Sequence, residues 1–386
     1  MHDAPIVVVG SGLAGYSLAR ELRKLDGAVP LVLVTRDDGA VYSKPMLSNA
    51  LVAQRTPAML ATADAAGAAE QFGATVLAQR TVEAIDVARN TVRLDAGEGI
   101  AYRKLVLALG ADPIRLPLEG DAADAVLSVN DLGDYARFRE TIETARHVTI
   151  LGAGLIGCEF ANDLKASGRE VDVVEPAAWP LSRLVPAAVG EAFAKRLRDA
   201  GVRLRLGASA VAATRRDGGG LRLRLVGDEA IDTDVVLSAV GLRPRTELAS
   251  AAGLRTARGI VVDRFLRTSA ADVHALGDCA EVEGLVLPFV MPIMHAARAL
   301  ARTLCGEPTW LRYPAMPVVV KTPAAPLTVA PPPAGAGGTW HCSASADGSL
   351  EATFVDPHGA LLGFALLGGT PAARQALTRR LPAVLD

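Results

Sequence analysis

The sequence predicts an α/β protein in which a unit of strand, glycine turn, helix and strand occurs twice, followed by a small α+β module. The first observation is an internal repeat, since IVVVGSGLAGYSLAREL at 6–22 aligns with VTILGAGLIGCEFANDL at 148–164. Each copy is an aliphatic run, a glycine-rich turn and apolar residues at helical spacing. A second segment recurs after each copy, and the composition changes near the carboxyl end. Two similar units and one further module are therefore expected.

Later strands complete each unit. A second strand is predicted at 30–35 in the first copy and at 171–175 in the second. LVLALGADP at 105–113 and VVLSAVGLRP at 235–244 both place Ala-x-Gly-x-x-Pro after an aliphatic strand. The segments between these landmarks that have strand character are 91–94, 202–206 and 221–226.

The rest of the chain contains one further block and the C-terminal module. The block has a strand at 259–263, the run VHALGDCA at 273–280 and a helix at about 291–305. A Pro-rich and Gly-rich stretch at 322–338 then precedes alternating strand-like runs and a closing helix near 371–381. The predicted domains are a first domain at 1–112 and 242–315, a second inserted within it at 113–241, and a C-terminal domain at 316–386.

The three glycines of each copy have a chemical interpretation. The first allows a tight turn after the strand, the second lets the backbone approach a pyrophosphate, and the third lets the helix pack on the strand. The pyrophosphate then lies at the free N–H groups and the positive dipole end of the helix. Because both copies have the correct flanking elements, the sequence predicts two dinucleotide sites. The glycines are Gly10, Gly12 and Gly15 in the first copy and Gly152, Gly154 and Gly157 in the second.

The two sites differ where a ribose is held. Glu175 ends the second strand of the second copy, and a carboxylate there accepts ribose hydroxyls and repels a 2′-phosphate. No Arg or Lys lies within 174–178, which favours NADH over NADPH. The first copy has Thr35 at the equivalent position, followed by Arg36-Asp37-Asp38. The acid there is displaced or absent, so the first site is interpreted as a bound-cofactor site with its own adenosine contacts.

Three charged residues each have a structural and a functional interpretation. Glu159 either stabilises the dipole at the start of its helix or extends to the point where the two ligands meet. Asp278 either caps a helix or binds hydroxyl groups of a ligand. Lys321 either ends a strand in solvent or supplies a cation to the site. Cys158 and Cys279 are expected to pack as small apolar groups.

Composition excludes several other functions. With 40 Lys and Arg against 42 Asp and Glu, no strong global charge favours a nucleic acid or an anionic membrane. No basic signal segment and no apolar run of about 18 residues occurs, so membrane insertion is not expected. The four cysteines and six histidines have no metal-ligand spacing, which predicts no bound metal. A cytoplasmic location is expected.

The chain resembles the two-dinucleotide flavoprotein reductases. The resemblance rests on both glycine motifs and on the segments Ala108–Gly110, Gly241 with Pro244, and Leu276-Gly277-Asp278. It implies FAD on the first unit and the 277–278 region, and NADH on the second. The NADH contacts that it implies are Gly152, Gly154, Leu155, Ile156, Gly157, Glu175 and Gly241.

Longer stretches resemble one branch of that family, the rubredoxin–NAD reductases of the kind that serve bacterial alkane hydroxylation. They are YSKPMLS at 42–48, NDLGDYARFR at 130–139, GCEFANDL at 157–164, SAVGLRPRTEL at 238–248 and MPVVVKTP at 316–323. The implied catalytic residues are Glu159, Lys321 and Lys44. The implied FAD contacts are Gly10, Ser11, Gly12, Leu13, Ala14, Gly15, Thr35, Arg36, Lys44, Pro45, Val82, Gly110, Glu159, Gly277, Asp278, Val290 and Lys321.

Departures from relatives narrow the chemistry. The absence of any cysteine before Cys158 excludes a C-x-x-x-x-C disulfide relay, and Val41-Tyr42-Ser43 lacks the cysteine of a peroxide-reducing branch. Many ferredoxin reductases carry a lysine where this chain has Asn49, and we hypothesise that Lys321 supplies that cation instead.

The resemblance implies an activity and a partner. NADH gives a hydride to FAD N5, and electrons pass singly to rubredoxin in a transient, salt-sensitive complex, with a monomer favoured. A helix N-terminus at 290–291 and Lys321 are expected to stabilise the reduced ring. The alternatives are a reductase of another one-electron carrier, either a ferredoxin or a rubredoxin-like module in nitric oxide detoxification, and a non-enzymatic NADH-responsive redox sensor.

Overall fold

The structure is a computed structural model that describes residues 4–346 and 348–386. Its α-helices are α1 (Leu13–Leu25), α2 (Pro57–Leu60), α3 (Ala65–Phe72), α4 (Leu132–Thr141), α5 (Leu155–Ala166), α6 (Ala187–Asp199), α7 (Glu247–Ala251), α8 (Val290–Leu304) and α9 (Pro371–Arg380). Short 3₁₀ helices cover Lys44–Asn49, Ala123–Ala125 and Gly277–Cys279. Among the described residues, no helix is long and apolar enough to span a bilayer.

The strands are numbered along the chain. They are β1 (Ile6–Val9), β2 (Leu31–Val34), β3 (Val41–Tyr42), β4 (Ala61–Ala63), β5 (Thr75–Leu77), β6 (Val82–Asp86), β7 (Thr91–Leu94), β8 (Gly99–Ala101), β9 (Lys104–Leu107), β10 (Ala111–Pro113), β11 (His147–Leu151), β12 (Glu170–Glu175), β13 (Arg203–Leu206), β14 (Ala210–Arg215), β15 (Leu221–Leu225), β16 (Ala230–Thr233), β17 (Val235–Ser238), β18 (Leu242–Pro244), β19 (Ile260–Val262), β20 (Val273–Ala275), β21 (Ala280–Val282), β22 (Val318–Val320), β23 (Leu327–Ala330), β24 (Thr339–Ala344), β25 (Leu350–Val355) and β26 (Leu361–Leu367).

The first unit forms a parallel five-stranded sheet in the order β20-β9-β1-β2-β5. All four residues of β1 are buried, as expected for a central parallel strand covered on both faces. Helices α1 and α8 pack together in the same hydrophobic core, through Leu18, Leu22, Ala297 and Leu300. Strand β20 comes from far along the chain, so the chain returns to this sheet after the second unit.

The second unit repeats this arrangement in a parallel sheet of order β13-β12-β11-β17. Strands β11, β12 and β17 correspond to β1, β2 and β9, and α5 corresponds to α1. The predicted α/β class with two similar units is confirmed. The two chain crossings between the units, β10 and β18, pair antiparallel with each other.

The C-terminal module is an antiparallel sheet of order β22-β23-β26-β25-β24, and α9 packs against β26. Its inner face does not form a separate core. Leu327, Val329 and Leu367 share one buried cluster with Leu47 of the first unit and Phe160 of α5. This shared core brings the segment after β22 against both dinucleotide units.

Candidate functional site

A single cavity of about 1680 Å³ lies between the two units and the C-terminal module. It opens at the carboxyl ends of β1, β2, β11 and β12, where open α/β sheets bind their ligands. Small-molecule pockets commonly have volumes of about 300–1,000 Å³. The cavity is therefore large enough for two extended ligands.

In the first unit, the three glycines meet different surroundings. A Cβ on Gly10 would lie 2.2 Å from the Ala108 carbonyl oxygen, and its φ of +113° already disfavours other residues. A Cβ on Gly15 would lie 2.0 Å from the Gly10 oxygen. A Cβ on Gly12 would meet no atom within 4 Å. The first and third glycines are thus required by the fold, whereas the second leaves space on the cavity side at the start of α1.

The second unit repeats this division of roles. A Cβ on Gly152, where φ is +98°, would lie 2.8 Å from the Ala239 oxygen, and one on Gly157 would lie 2.0 Å from the Gly152 oxygen. Gly154 precedes α5 with extended backbone angles, and its Cβ would meet nothing within 4 Å. Both units therefore have the open helix N-terminus that a pyrophosphate requires.

The acidic residue at the first site is Asp37. It lies two residues after Thr35, the position that corresponds to Glu175 of the second unit. Asp37 Oδ1 accepts hydrogen bonds from Thr35 Oγ1 at 2.6 Å, Ser11 Oγ at 3.0 Å and the Gly39 amide at 3.0 Å. The acid is thus displaced rather than absent. Asp37 lines the cavity but was not among the predicted site residues, because the sequence did not show which of two adjacent aspartates faces inward.

Glu175 lies at the cavity edge of β12 in a fixed orientation. Its Oε2 accepts a hydrogen bond from the Ala153 amide at 2.7 Å, and its Oε1 accepts one from the Ala177 amide at 2.9 Å. These bonds hold the carboxylate beside the second glycine turn. Its position fits the predicted discrimination against a 2′-phosphate.

We expect Glu175→Gln to narrow the preference for NADH over NADPH by roughly tenfold to a hundredfold, since hydrogen bonds to a charged group contribute about 1.5–3 kcal/mol. Binding of each nucleotide to the oxidised protein measures the ratio of the two affinities. Glu170→Gln, at the exposed opposite end of the same strand, is the matched control. An unchanged ratio in Glu175→Gln would contradict the assignment.

Lys44 and Asp278 form a second polar region of the cavity. Lys44 Nζ donates to Asn130 Oδ1 at 2.7 Å, and Asn130 Nδ2 donates to the Ala111 oxygen at 2.9 Å. Burial lowers the pKa of Lys44, with the Asp278 carboxylate opposing the shift. Burial raises the pKa of Asp278, with Lys44 and Arg245 opposing it.

The carboxylate of Asp278 is available to a ligand in the cavity. It lies within a 3₁₀ turn, caps no helix, and makes no hydrogen bond in the part of the chain that the structure describes. Such a group next to a large cavity fits the hydroxyl groups of a bound ligand. The helix-capping interpretation of Asp278 is wrong.

Lys321 and Glu159 form an ion pair where the two dinucleotide units and the C-terminal module pack together. Lys321 Nζ lies 2.9 Å from Glu159 Oε2, and the Lys321 amide donates to Glu159 Oε1 at 3.0 Å. Ser48 Oγ also donates to Glu159 Oε2, at 2.6 Å. Glu159 is the fifth residue of α5 and only 3% exposed. Its role is therefore not helix-dipole stabilisation at the surface, and Lys321 is not a solvated strand end.

The same face of α5 holds two further segments. Asp163 accepts hydrogen bonds from the amides of Leu51 at 2.9 Å and Val52 at 3.1 Å, and Asn162 accepts one from the Ala324 amide at 3.0 Å. Sequence reasoning did not select these residues. Polar residues at positions i, i+3 and i+4 of an otherwise buried helix were the available signal.

The structure also bears on the predicted helix N-terminus at 290–291 and on the two buried cysteines. Helix α8 begins at Val290, which lines the cavity, so the expected helix N-terminus is confirmed.

Cys158 and Cys279 are buried, and burial raises the pKa of Cys279 to about 11 and that of Cys158 further. Neither thiol has the low pKa of a redox nucleophile. Among the described residues, no group of three or more candidate ligands could hold a metal ion.

The structure brings nearly all predicted site residues to this cavity. Those that do not line it are Gly15, Gly157 and Gly277, whose packing is internal. Residues that line it are Gly10, Ser11, Gly12, Leu13, Ala14, Thr35, Arg36, Lys44, Pro45, Val82, Gly110, Glu159, Asp278, Val290 and Lys321 on one side, and Gly152, Gly154, Leu155, Ile156, Glu175 and Gly241 on the other.

Two helix N-termini with open glycine positions, facing one large cavity, define a protein with two dinucleotide sites. Residues 4–302 match the family model for pyridine nucleotide-disulphide oxidoreductases, and residues 310–381 match a rubredoxin-binding C-terminal domain. The chain belongs to the pyridine nucleotide-disulphide oxidoreductase family.

Individual proteins agree with this assignment. The chain is 48% identical to a rubredoxin-NAD(+) reductase of Alcanivorax borkumensis, covering all of both chains. It is 41% identical to a nitric oxide reductase FlRd-NAD(+) reductase of Aeromonas salmonicida, covering 98% of this chain and 96% of that one. Its fold matches a ferredoxin reductase structure from Rhodopseudomonas palustris with a TM-score of 0.88 and 27% identity, covering 99% and 96% of the two chains.

Proposed function

We propose that this protein is an FAD-dependent NADH:rubredoxin oxidoreductase. The observation that carries the proposal is the module at 310–381, which matches a rubredoxin-binding domain and brings Lys321 into the cavity of the two dinucleotide sites. The partner-binding part of the chain thus contributes directly to the site that handles electrons. The relative from Alcanivorax borkumensis supports the same reading over its full length.

FAD is the cofactor of the first unit, and NADH binds the second. The open position at Gly12, the Asp37 cluster and the Asp278 carboxylate at the cavity suit a pyrophosphate, a ribose and a polyol chain respectively. In the second unit, Gly154 and Glu175 suit the pyrophosphate and ribose of NADH. The predicted domain limits, 1–112 with 242–315, 113–241 and 316–386, remain a proposal that the return of β20 to β9 supports.

When bound, FAD accepts two electrons from NADH and releases them singly. The protein's residues orient the two ligands and exclude water from between them. The Lys321 ammonium and the N-terminus of α8 line the cavity and would stabilise negative charge on a bound flavin. Glu159 pairs with that ammonium at 2.9 Å and holds it in place.

Two different electron carriers remain to be distinguished by experiment. The relative from Aeromonas salmonicida is named a nitric oxide reductase FlRd-NAD(+) reductase, and a rubredoxin-like module in nitric oxide detoxification is the second candidate partner. Service to an alkane hydroxylase is part of the proposal for rubredoxin and is supported by the resemblance of the five longer segments.

Anaerobic stopped-flow absorbance tests the function. NADH is expected to bleach the flavin rapidly and NADPH slowly, and a free rubredoxin is expected to reoxidise it faster than a ferredoxin or a flavorubredoxin module at equal concentration. Faster reoxidation by one of the other carriers would change the partner but keep the enzyme class. A flavin that neither nucleotide bleaches would overturn the proposal.

A further inference from the structure

The Lys321 ammonium is enclosed by acceptors from one short segment of the first unit. Besides Glu159, Lys321 Nζ contacts the Pro45 oxygen, Ser48 Oγ at 3.0 Å and Asn49 Oδ1 at 2.8 Å. Ser48 Oγ donates its own hydrogen to Glu159, so it can only accept from the lysine. The ammonium thus has four acceptors for its three N–H groups, and three of the four belong to the Lys44–Asn49 helix.

Asn49, like Glu159, bonds Lys321 at two points, whereas Pro45 and Ser48 each contact only its ammonium. Its Oδ1 accepts from Nζ, and its Nδ2 donates to the Lys321 main-chain oxygen at 3.1 Å. Asn49 is partly buried and does not line the cavity, whereas Lys321 and Ser48 do. It therefore bonds Lys321 without lining the space that the ligands would occupy.

A two-point contact has a specific consequence for a lysine. The side chain has four flexible bonds, and freezing them costs about 2 kcal/mol of entropy. A partner that bonds both the main chain and the ammonium sets the distance between them. The lysine side chain then samples fewer rotamers, so its ammonium stays in one position. The Lys321 amide is held at the same time by Glu159, which fixes the backbone of this residue on both sides.

We propose that Asn49 is a positioning residue that fixes the Lys321 ammonium at the flavin face of the cavity. The two residues are 272 positions apart in sequence, so only the tertiary structure brings them together. This inference rests on the proposed function only in that FAD occupies the first site.

The test measures the midpoint potential of bound FAD and its rate of reduction by NADH, without any carrier protein. Asn49→Ala is expected to lower the rate roughly threefold to tenfold and to shift the potential negative, because the ammonium loses one acceptor but keeps the others. Asn49→Gln, which keeps both functional groups, is expected to recover part of each loss. Asn162→Ala, which frees the neighbouring Ala324 amide from α5, is the control for general loosening of this segment.

The proposal is overturned if Asn49→Ala leaves the potential unchanged or if Asn162→Ala shifts it equally. Failure of rubredoxin to accept electrons would instead count against the proposed function, because none of these measurements uses a carrier.

Discussion

Gly154→Ala is expected to weaken NADH binding by roughly 100-fold, about 2.8 kcal/mol, while the protein retains its fold and its FAD. The backbone at Gly154 has extended angles that alanine adopts without strain, and the new methyl group would meet no protein atom within 4 Å. The space it enters is where the nucleotide pyrophosphate must approach the start of α5. Titration of the oxidised holoprotein with NADH measures the change.

Two matched glycines make this prediction specific. Gly12→Ala, the equivalent change in the first unit, is expected to release FAD and to leave the second site intact. Gly157→Ala is expected to disturb the second unit itself, because its Cβ would lie 2.0 Å from the Gly152 oxygen. If Gly154→Ala bound NADH as tightly as the parent, the second site would not use this helix N-terminus.

Lys321→Ala is expected to slow the reduction of FAD by NADH by roughly 100-fold and to shift the flavin potential negative. A preorganised charge in a water-poor site has effects of this size on the step that it stabilises. The substitution also removes the partner of Glu159, which is 3% exposed, so an uncompensated buried carboxylate remains. Stopped-flow reduction and a potentiometric titration measure the two effects separately.

A second variant separates the lost cation from the buried charge. Lys321→Ala combined with Glu159→Gln removes both charges and is expected to recover thermal stability but not the rate of reduction. Lys321→Arg keeps the charge with a different shape and is expected to fall between the parent and the alanine variant. Rates and potentials equal to those of the parent in Lys321→Ala would exclude this residue from the electron-transfer site.

Much of the site was predictable because it depends on local backbone geometry. The glycines at 10, 12 and 15 and at 152, 154 and 157 encode a turn and a close helix, and both requirements are met within one strand, turn and helix. The position of Glu175 follows from the end of its strand in the same way. Asp37 was missed because a loop after a strand has no fixed periodicity to show which acid faces inward.

The sequence by itself determined the α/β class, the two dinucleotide units and the strands and helix of the C-terminal module. Only the tertiary structure decided how Lys321, Glu159 and Ser48 combine, since Ser48 lies 111 residues from Glu159 and 273 from Lys321. No pattern of spacing predicts contacts over such separations. They form because one hydrophobic core joins the Lys44–Asn49 segment, α5 and the C-terminal sheet, and buried charges inside such a contact must be paired.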